Sequence, residues 1–168
     1  MNSEYIKLCI AQYFRYNRQC KLITLERSVP RLGWYCPDIL IVNKDRKIIE
    51  VEVKISLADF KADAKKRIWK TRDTGKVKMP HQFYYGIPAE LEEKIKPIMR
   101  KDCGLIRIGD KKEWQHYGGA VSVAKTAPVN KESKRLTARE LVEMVNHQTG
   151  TLCSALKRNY EIQKKSSN

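Results

Sequence analysis

The sequence predicts a mixed α/β fold: an open sheet with helices on both faces, followed by a C-terminal helical appendage. Two observations carry this. Short runs rich in Ile and Val, at Ile39–Val42 and Lys47–Ile55, alternate with segments whose apolar residues recur at helical spacing. A chain of 168 residues with 42% hydrophobic residues is also long enough for one ordinary core. The pattern divides into a core over 1–117 and a linker with helical extension over 118–168 that is not an independent domain.

In order along the chain, Ser3 to Phe14 aligns Tyr5, Ile6, Cys9, Ile10 and Tyr13 on one helical stripe, with Ser3 as N-cap. Lys21 to Arg27 reads as a short strand, and Pro30, Gly33 and Pro37 punctuate the loop before Asp38. Ile39 to Val42 is a buried strand, Asn43 to Arg46 a turn, and Lys47 to Ile55 a second strand. Its alternation sends Ile49, Val51 and Val53 to one face and Glu50, Glu52 and Lys54 to the other. Ser56 and Asp59 have capping-box spacing ahead of a helix to about Arg72, with Phe60, Ala64 and Ile68 inward. Gln82–Ile87 is an aromatic strand, Leu91–Arg100 a short helix and Gly104–Ile108 a strand. Gly118 to Arg135 reads as an extended connection; Thr137 and Glu140 form a second capping box before one or two helices, and Lys164 to Asn168 a frayed tail.

The net charge of +15 is extreme for this length and points to a polyanionic partner, nucleic acid foremost. No apolar stretch approaches twenty residues, no lipidation motif is evident and no secretory signal is visible, so the expectation is a cytoplasmic protein without a membrane partner. Cys9, Cys20, Cys36, Cys103 and Cys153 lack CxxC spacing and read as buried free thiols. His81, His116 and His147 lack the spacing of a metal cluster.

Two carboxylates and a lysine on one strand face need compensation, because burying an unpaired charge costs several kcal/mol, of order 2 or more after relaxation. A divalent cation would supply it, since carboxylate oxygens suit magnesium. The turn length decides whether the site can exist. In an antiparallel hairpin Asp38 shares a face with Glu52 only if opposed residue numbers sum to 90, which sets Asn43 against Lys47 and demands a three-residue turn, Lys44 to Arg46.

Pro37-Asp38 followed by Glu52-Val53-Lys54 resembles the PD-(D/E)xK nuclease signature. Further, Glu52-Val53-Lys54 with Ser56, Ala58-Asp59-Phe60 and Ala62-Asp63, then Phe83-Tyr84-Tyr85-Gly86-Ile87-Pro88, is similar to the MmcB-like DNA-repair family and its phage relatives. The segment before Asp38, Gly33-Trp34-Tyr35-Cys36-Pro37, departs from that family, and no family pattern extends beyond Asp110. The resemblance implies a restriction-endonuclease-like core and a metal-dependent deoxyribonuclease of DNA repair, recombination or phage DNA metabolism. It implies Mg2+, with Mn2+ as substitute, held by Asp38, Glu52 and the Val53 carbonyl, with Glu4 as a further candidate ligand from the first helix. Lys54 would position or activate the attacking water. Lys61, Lys65, Lys66, Arg67, Lys70, Lys76 and Lys78 are the candidate phosphate contacts, and Glu50, Ser56 and Asp59 the candidate supports behind the site. A homodimer would suit cutting of both strands. The competing expectation is a nucleic-acid-binding module of the same fold that is inactive alone or needs a partner.

Overall fold

The computed structural model describes residues 1–26, 35–76, 79–109 and 120–166. Its first compact unit, Met1–Arg135, is built on one six-stranded mixed sheet whose strands lie side by side in chain order. The strands are β1 (Leu22–Leu25), β2 (Ile39–Val42), β3 (Ile48–Val53), β4 (Gln82–Pro88), β5 (Gly104–Ile108) and β6 (Val121–Lys125). β1 to β3 pair antiparallel, β3 to β5 parallel, and β6 returns antiparallel to β5. Parallel pairs need crossovers, and these are α2 (Leu57–Asp63) with α3 (Arg67–Asp73) between β3 and β4, then α4 (Glu92–Ile95) between β4 and β5. This is the α/β class expected, with the sheet continuing past the boundary at 117. β6 lies in the segment read as an extended connection. Its burial is patchy, so the alternation that marks a strand is weak there.

The strand period sorts the core into two layers. Ile49, Val51 and Val53 pack with Ile39, Ile41, Tyr84 and Ile106 under α1 (Ser3–Gln12), which contributes Ile6, Cys9 and Ile10. Phe83, Tyr85 and Ile87 face the other way, onto Phe60, Trp69, Ile95 and Met99. Each such side chain, once buried, stabilises the fold by about 1.5–3 kcal/mol. Gly86 lets α1 approach β4 closely, since a Cβ there would stand 2.5 Å from Ile10 Cδ1. α1 is capped by Asn2, whose side chain accepts the Tyr5 N–H, rather than by Ser3.

The helix expected from Ser56 to Arg72 is two helices. Ser56 caps α2 as its spacing implies, accepting the Asp59 N–H at 3.1 Å, but the chain breaks after Asp63 and restarts at Lys66, whose backbone is extended (φ −61°, ψ 140°). The break shifts the helical phase, so Ala64 is exposed and Trp69 is buried in its place. Cys36 and Cys153 are exposed, against the expectation of buried thiols, whereas Cys9, Cys20 and Cys103 are buried.

The second unit, Leu136–Asn168, carries one helix, α5 (Ala138–Ser166), within the one or two expected; it runs on past Lys164, where a frayed tail was expected. Its N-terminus is the expected capping box: the Glu140 N–H donates to Thr137 Oγ1, and Glu140 Oε2 accepts the Thr137 N–H. Among the described residues no helix is long and apolar enough to cross a membrane.

The β2–β3 hairpin has the register the site requires. Ile39 opposes Val51, Leu40 Glu50, Ile41 Ile49 and Val42 Ile48, each pair summing to 90. The Asn43 N–H donates to the Lys47 carbonyl, Arg46 N–H donates to Asn43, and Arg46 closes the turn in the left-handed region at φ 61°. A non-glycine residue there is strained by about 1 kcal/mol. Arg46→Gly is therefore expected to raise the unfolding free energy by about 0.5 kcal/mol or more in urea titration, net of the extra flexibility of the unfolded chain; a loss of stability would contradict the left-handed turn.

Candidate active site at the carboxyl end of β3

Asp38 precedes β2, Glu52 lies near the end of β3, and Lys54 follows it, its N–H bonded to the Gly86 carbonyl of β4. The hairpin register places the Asp38 carboxylate beside β3, where Oδ2 accepts the Val53 N–H at 2.7 Å. The three residues thus meet at the carboxyl ends of parallel strands β3 and β4, the usual position of ligand sites in open α/β sheets.

Glu52 is nearly buried, and both its oxygens have partners. Oε1 accepts from Lys54 Nζ at 3.1 Å and Lys66 Nζ at 2.6 Å, and Oε2 from the Tyr35 hydroxyl at 2.7 Å. Asp63, at the end of α2, completes the cluster. Its Oδ1 stands 2.9 Å from both ammonium groups, and its Oδ2 accepts from Trp69 Nε1 and the Tyr85 hydroxyl, each at 3.0 Å. Burial works to raise the Asp63 pKa, but Lys66 and Lys54 outweigh it and pull the carboxyl down to about 2. Burial would likewise strip charge from Lys66, yet its bonds to Glu52 and Asp63 hold its pKa above the ordinary lysine value.

Asp38 is in the opposite condition. Burial and the neighbouring Glu52 charge raise its pKa, only partly offset by the Val53 N–H and by Lys7. Lys7 reaches in from α1, buried, with its ammonium 4.0 Å from Asp38, 2.9 Å from Glu4 and bonded to Glu26. Glu4 is mostly exposed, so it reaches the site through Lys7 rather than directly. Glu50 is fully buried and pairs with Arg72 at 2.7 Å; burial pushes its carboxyl up to about 7 despite the guanidinium. Arg72 also lies over the rings of Tyr35, Trp69 and Phe83, tying α3 to this face. Ser56 and Asp59 serve the α2 cap, where Asp59 Oδ2 also accepts the Ile55 N–H at 3.4 Å.

Among the described residues no three His, Cys, Asp or Glu side chains form a ready metal cage. The donor set nevertheless fits magnesium, which is commonly held by one or two carboxylates and otherwise by water and substrate phosphate. Burial first and the Glu52 charge second disfavour the ionised Asp38 carboxylate, and a divalent cation shared by the two carboxylates would oppose both. The basic residues divide into two groups. Lys61, Lys65, Arg67, Lys70 and Lys76 are exposed, while Lys66 turns into the carboxylate cluster; Lys78 lies outside the described residues.

Sequence reasoning gave no site role to Lys7, Tyr35, Arg72 or Tyr85, and left Asp63 open between a helix-surface charge and a support behind the site. Lys7 had a signal: it stands three residues before Ile10 and seven before Phe14, on the buried stripe of α1. Asp63 reads as a helix-surface charge until the helix breaks beside it. Its depressed pKa gives a signed prediction. An unfolded aspartate titrates near 3.9, so the stability contributed by the ionised Asp63 is present above that pH and is lost as pH falls from about 4 to about 2. The stability advantage of the native chain over Asp63→Asn should shrink by about 2 kcal/mol across that window in denaturant titrations; an advantage independent of pH would contradict the ion cluster.

No protein-family model matches the chain, and no curated protein does. Among solved structures, the chain is similar to a protein of unknown function from Silicibacter pomeroyi, at 19% identity and a TM-score of 0.60, over 90% of this chain and 88% of that one. At that identity the likeness establishes the fold.

Proposed function

We propose that the chain is a magnesium-dependent deoxyribonuclease of the PD-(D/E)xK type, acting in DNA repair, recombination or phage DNA metabolism. The observation that carries this reading is the hairpin register, which brings Asp38 and Glu52 to one strand end with Lys54 bonded to Glu52. A pure binding surface has no use for carboxylates beside a phosphate track.

In this reading Asp38, Glu52 and the Val53 carbonyl hold the cation, which when bound polarises the phosphodiester and lowers the pKa of a water from about 15.7 toward 7. Lys54 is held rigidly between Glu52 and Asp63, so its ammonium can orient the attacking water and offset charge building on the phosphorus oxygens. Water adds to phosphorus and the bond to one ester oxygen breaks, leaving a phosphate monoester and a hydroxyl terminus. Lys61, Lys65, Arg67, Lys70 and Lys76 supply phosphate contacts along α2, α3 and the turn beyond.

One observation favours the rival, a nucleic-acid-binding module inactive alone: both Glu52 oxygens are engaged by protein groups. Cleavage of labelled single-stranded, duplex, flapped and branched DNA with Mg2+ or Mn2+ separates the two. The nuclease reading expects metal-dependent cutting that falls by about a hundredfold or more in Asp38→Ala and Lys54→Ala, with DNA binding retained. Tight, salt-sensitive binding without cutting of any substrate would establish the binding module instead.

A further inference from the structure

Lys66 occupies an unusual place. It is the N-cap of α3 and makes no side-chain capping bond. Such a position favours Ser, Thr, Asp or Asn, and the positive end of the helix disfavours a cation. The extended backbone at this residue turns the side chain inward, where Nζ lies 2.6 Å from Glu52 Oε1 and 2.9 Å from Asp63 Oδ1. A residue that breaks the local rule while meeting two nearly buried carboxylates is placed for the site, not for the helix.

The charges around it define what it can do. Glu52 and Asp63 are matched by Lys54 and Lys66, and Asp38 faces Lys7. Lys7 also serves Glu4 and Glu26, so the spare negative charge lies on the Asp38 side, and Oε1 of Glu52 is open to an arriving cation only if one of its two ammonium groups departs. Lys54 is 2% exposed and enclosed, whereas Lys66 is 43% exposed and opens toward solvent between Lys65 and Arg67. Of the two ammonium groups on Glu52, Lys66 has the exit.

Building on the nuclease reading, we propose that Lys66 is a displaceable counter-ion: it occupies Glu52 Oε1 in the cation-free protein, yields that oxygen to the divalent cation, and swings out to neutralise a DNA phosphate. Cation binding and phosphate binding are thereby coupled through one side chain. The proposal separates Lys66 from Lys61, Lys65, Arg67 and Lys70, which are exposed.

The test is Mn2+ binding to the full chain, followed by electron paramagnetic resonance without DNA. The native chain is compared with Lys66→Met, Lys66→Gln, Lys66→Arg and Lys44→Met; the last removes one charge at the hairpin tip, far from the site along β2 and β3. Thermal unfolding establishes that each variant is folded, and the Gln variant stands in should Met not fold. Losing a charge-assisted competitor for Glu52 should tighten Mn2+ binding about tenfold in Lys66→Met and Lys66→Gln. Lys66→Arg and Lys44→Met should bind as the native chain does. In DNA titrations with Ca2+ in place of Mn2+, the native salt slope should exceed that of Lys66→Met by about 0.9, and the two slopes should agree without a divalent cation. Unchanged or weaker Mn2+ binding in Lys66→Met and Lys66→Gln, with the native chain binding, would overturn the counter-ion role and leave the nuclease reading standing. Absence of Mn2+ binding in every variant would overturn both.

Discussion

Side chains on a strand alternate between faces, so the length of the Lys44–Arg46 turn decides where Asp38 points. With opposed residues summing to 90, Asp38 belongs to the same face as Glu52, and Val53 can donate its N–H to the Asp38 carboxylate. One residue more or fewer would turn that carboxylate toward the layer formed by Ile49, Val51 and α1, where a charge has no partner. The left-handed Arg46 is the local strain that holds this register.

The same periodicity commits β3 to carrying charge through the interior. Glu50, Glu52 and Lys54 share a face that is covered by α2 and α3, so each must find a partner. Arg72 meets Glu50, and Asp63 with Lys66 meets Lys54 and Glu52. Replacing a buried ion pair by apolar side chains is often neutral or stabilising, so such a cluster is poorly explained as a stability device. Here it fixes the Lys54 ammonium between Glu52 and Asp63 at the carboxyl end of β3, and the break between α2 and α3 exists where both Asp63 and Lys66 must turn inward.

The layered fold and the Asp38, Glu52, Lys54 grouping were legible because both follow from period-two alternation and a countable turn. β6 was not, since its alternation is weak, and the split of one long helix into α2 and α3 was not, since no glycine or proline marks it. Asp63 and Glu50 carry surface-type side chains whose burial depends on partners distant in the chain: Tyr85 lies 22 residues from Asp63, and Arg72 lies 22 from Glu50. Local pattern contains no record of such pairings. Glu4, a candidate ligand by the resemblance, meets Lys7, which stands between it and Asp38.

Whether Asp38 and Glu52 hold a divalent cation is decided by anomalous diffraction from crystals of the full chain grown with Mn2+. A cation held as proposed gives an anomalous peak in contact with carboxylate oxygens of Asp38 and Glu52, with Lys66 Nζ withdrawn from Glu52. Diffraction showing no peak at these carboxylates at high Mn2+, with Lys66 still bonded to Glu52 and Asp63, would contradict it.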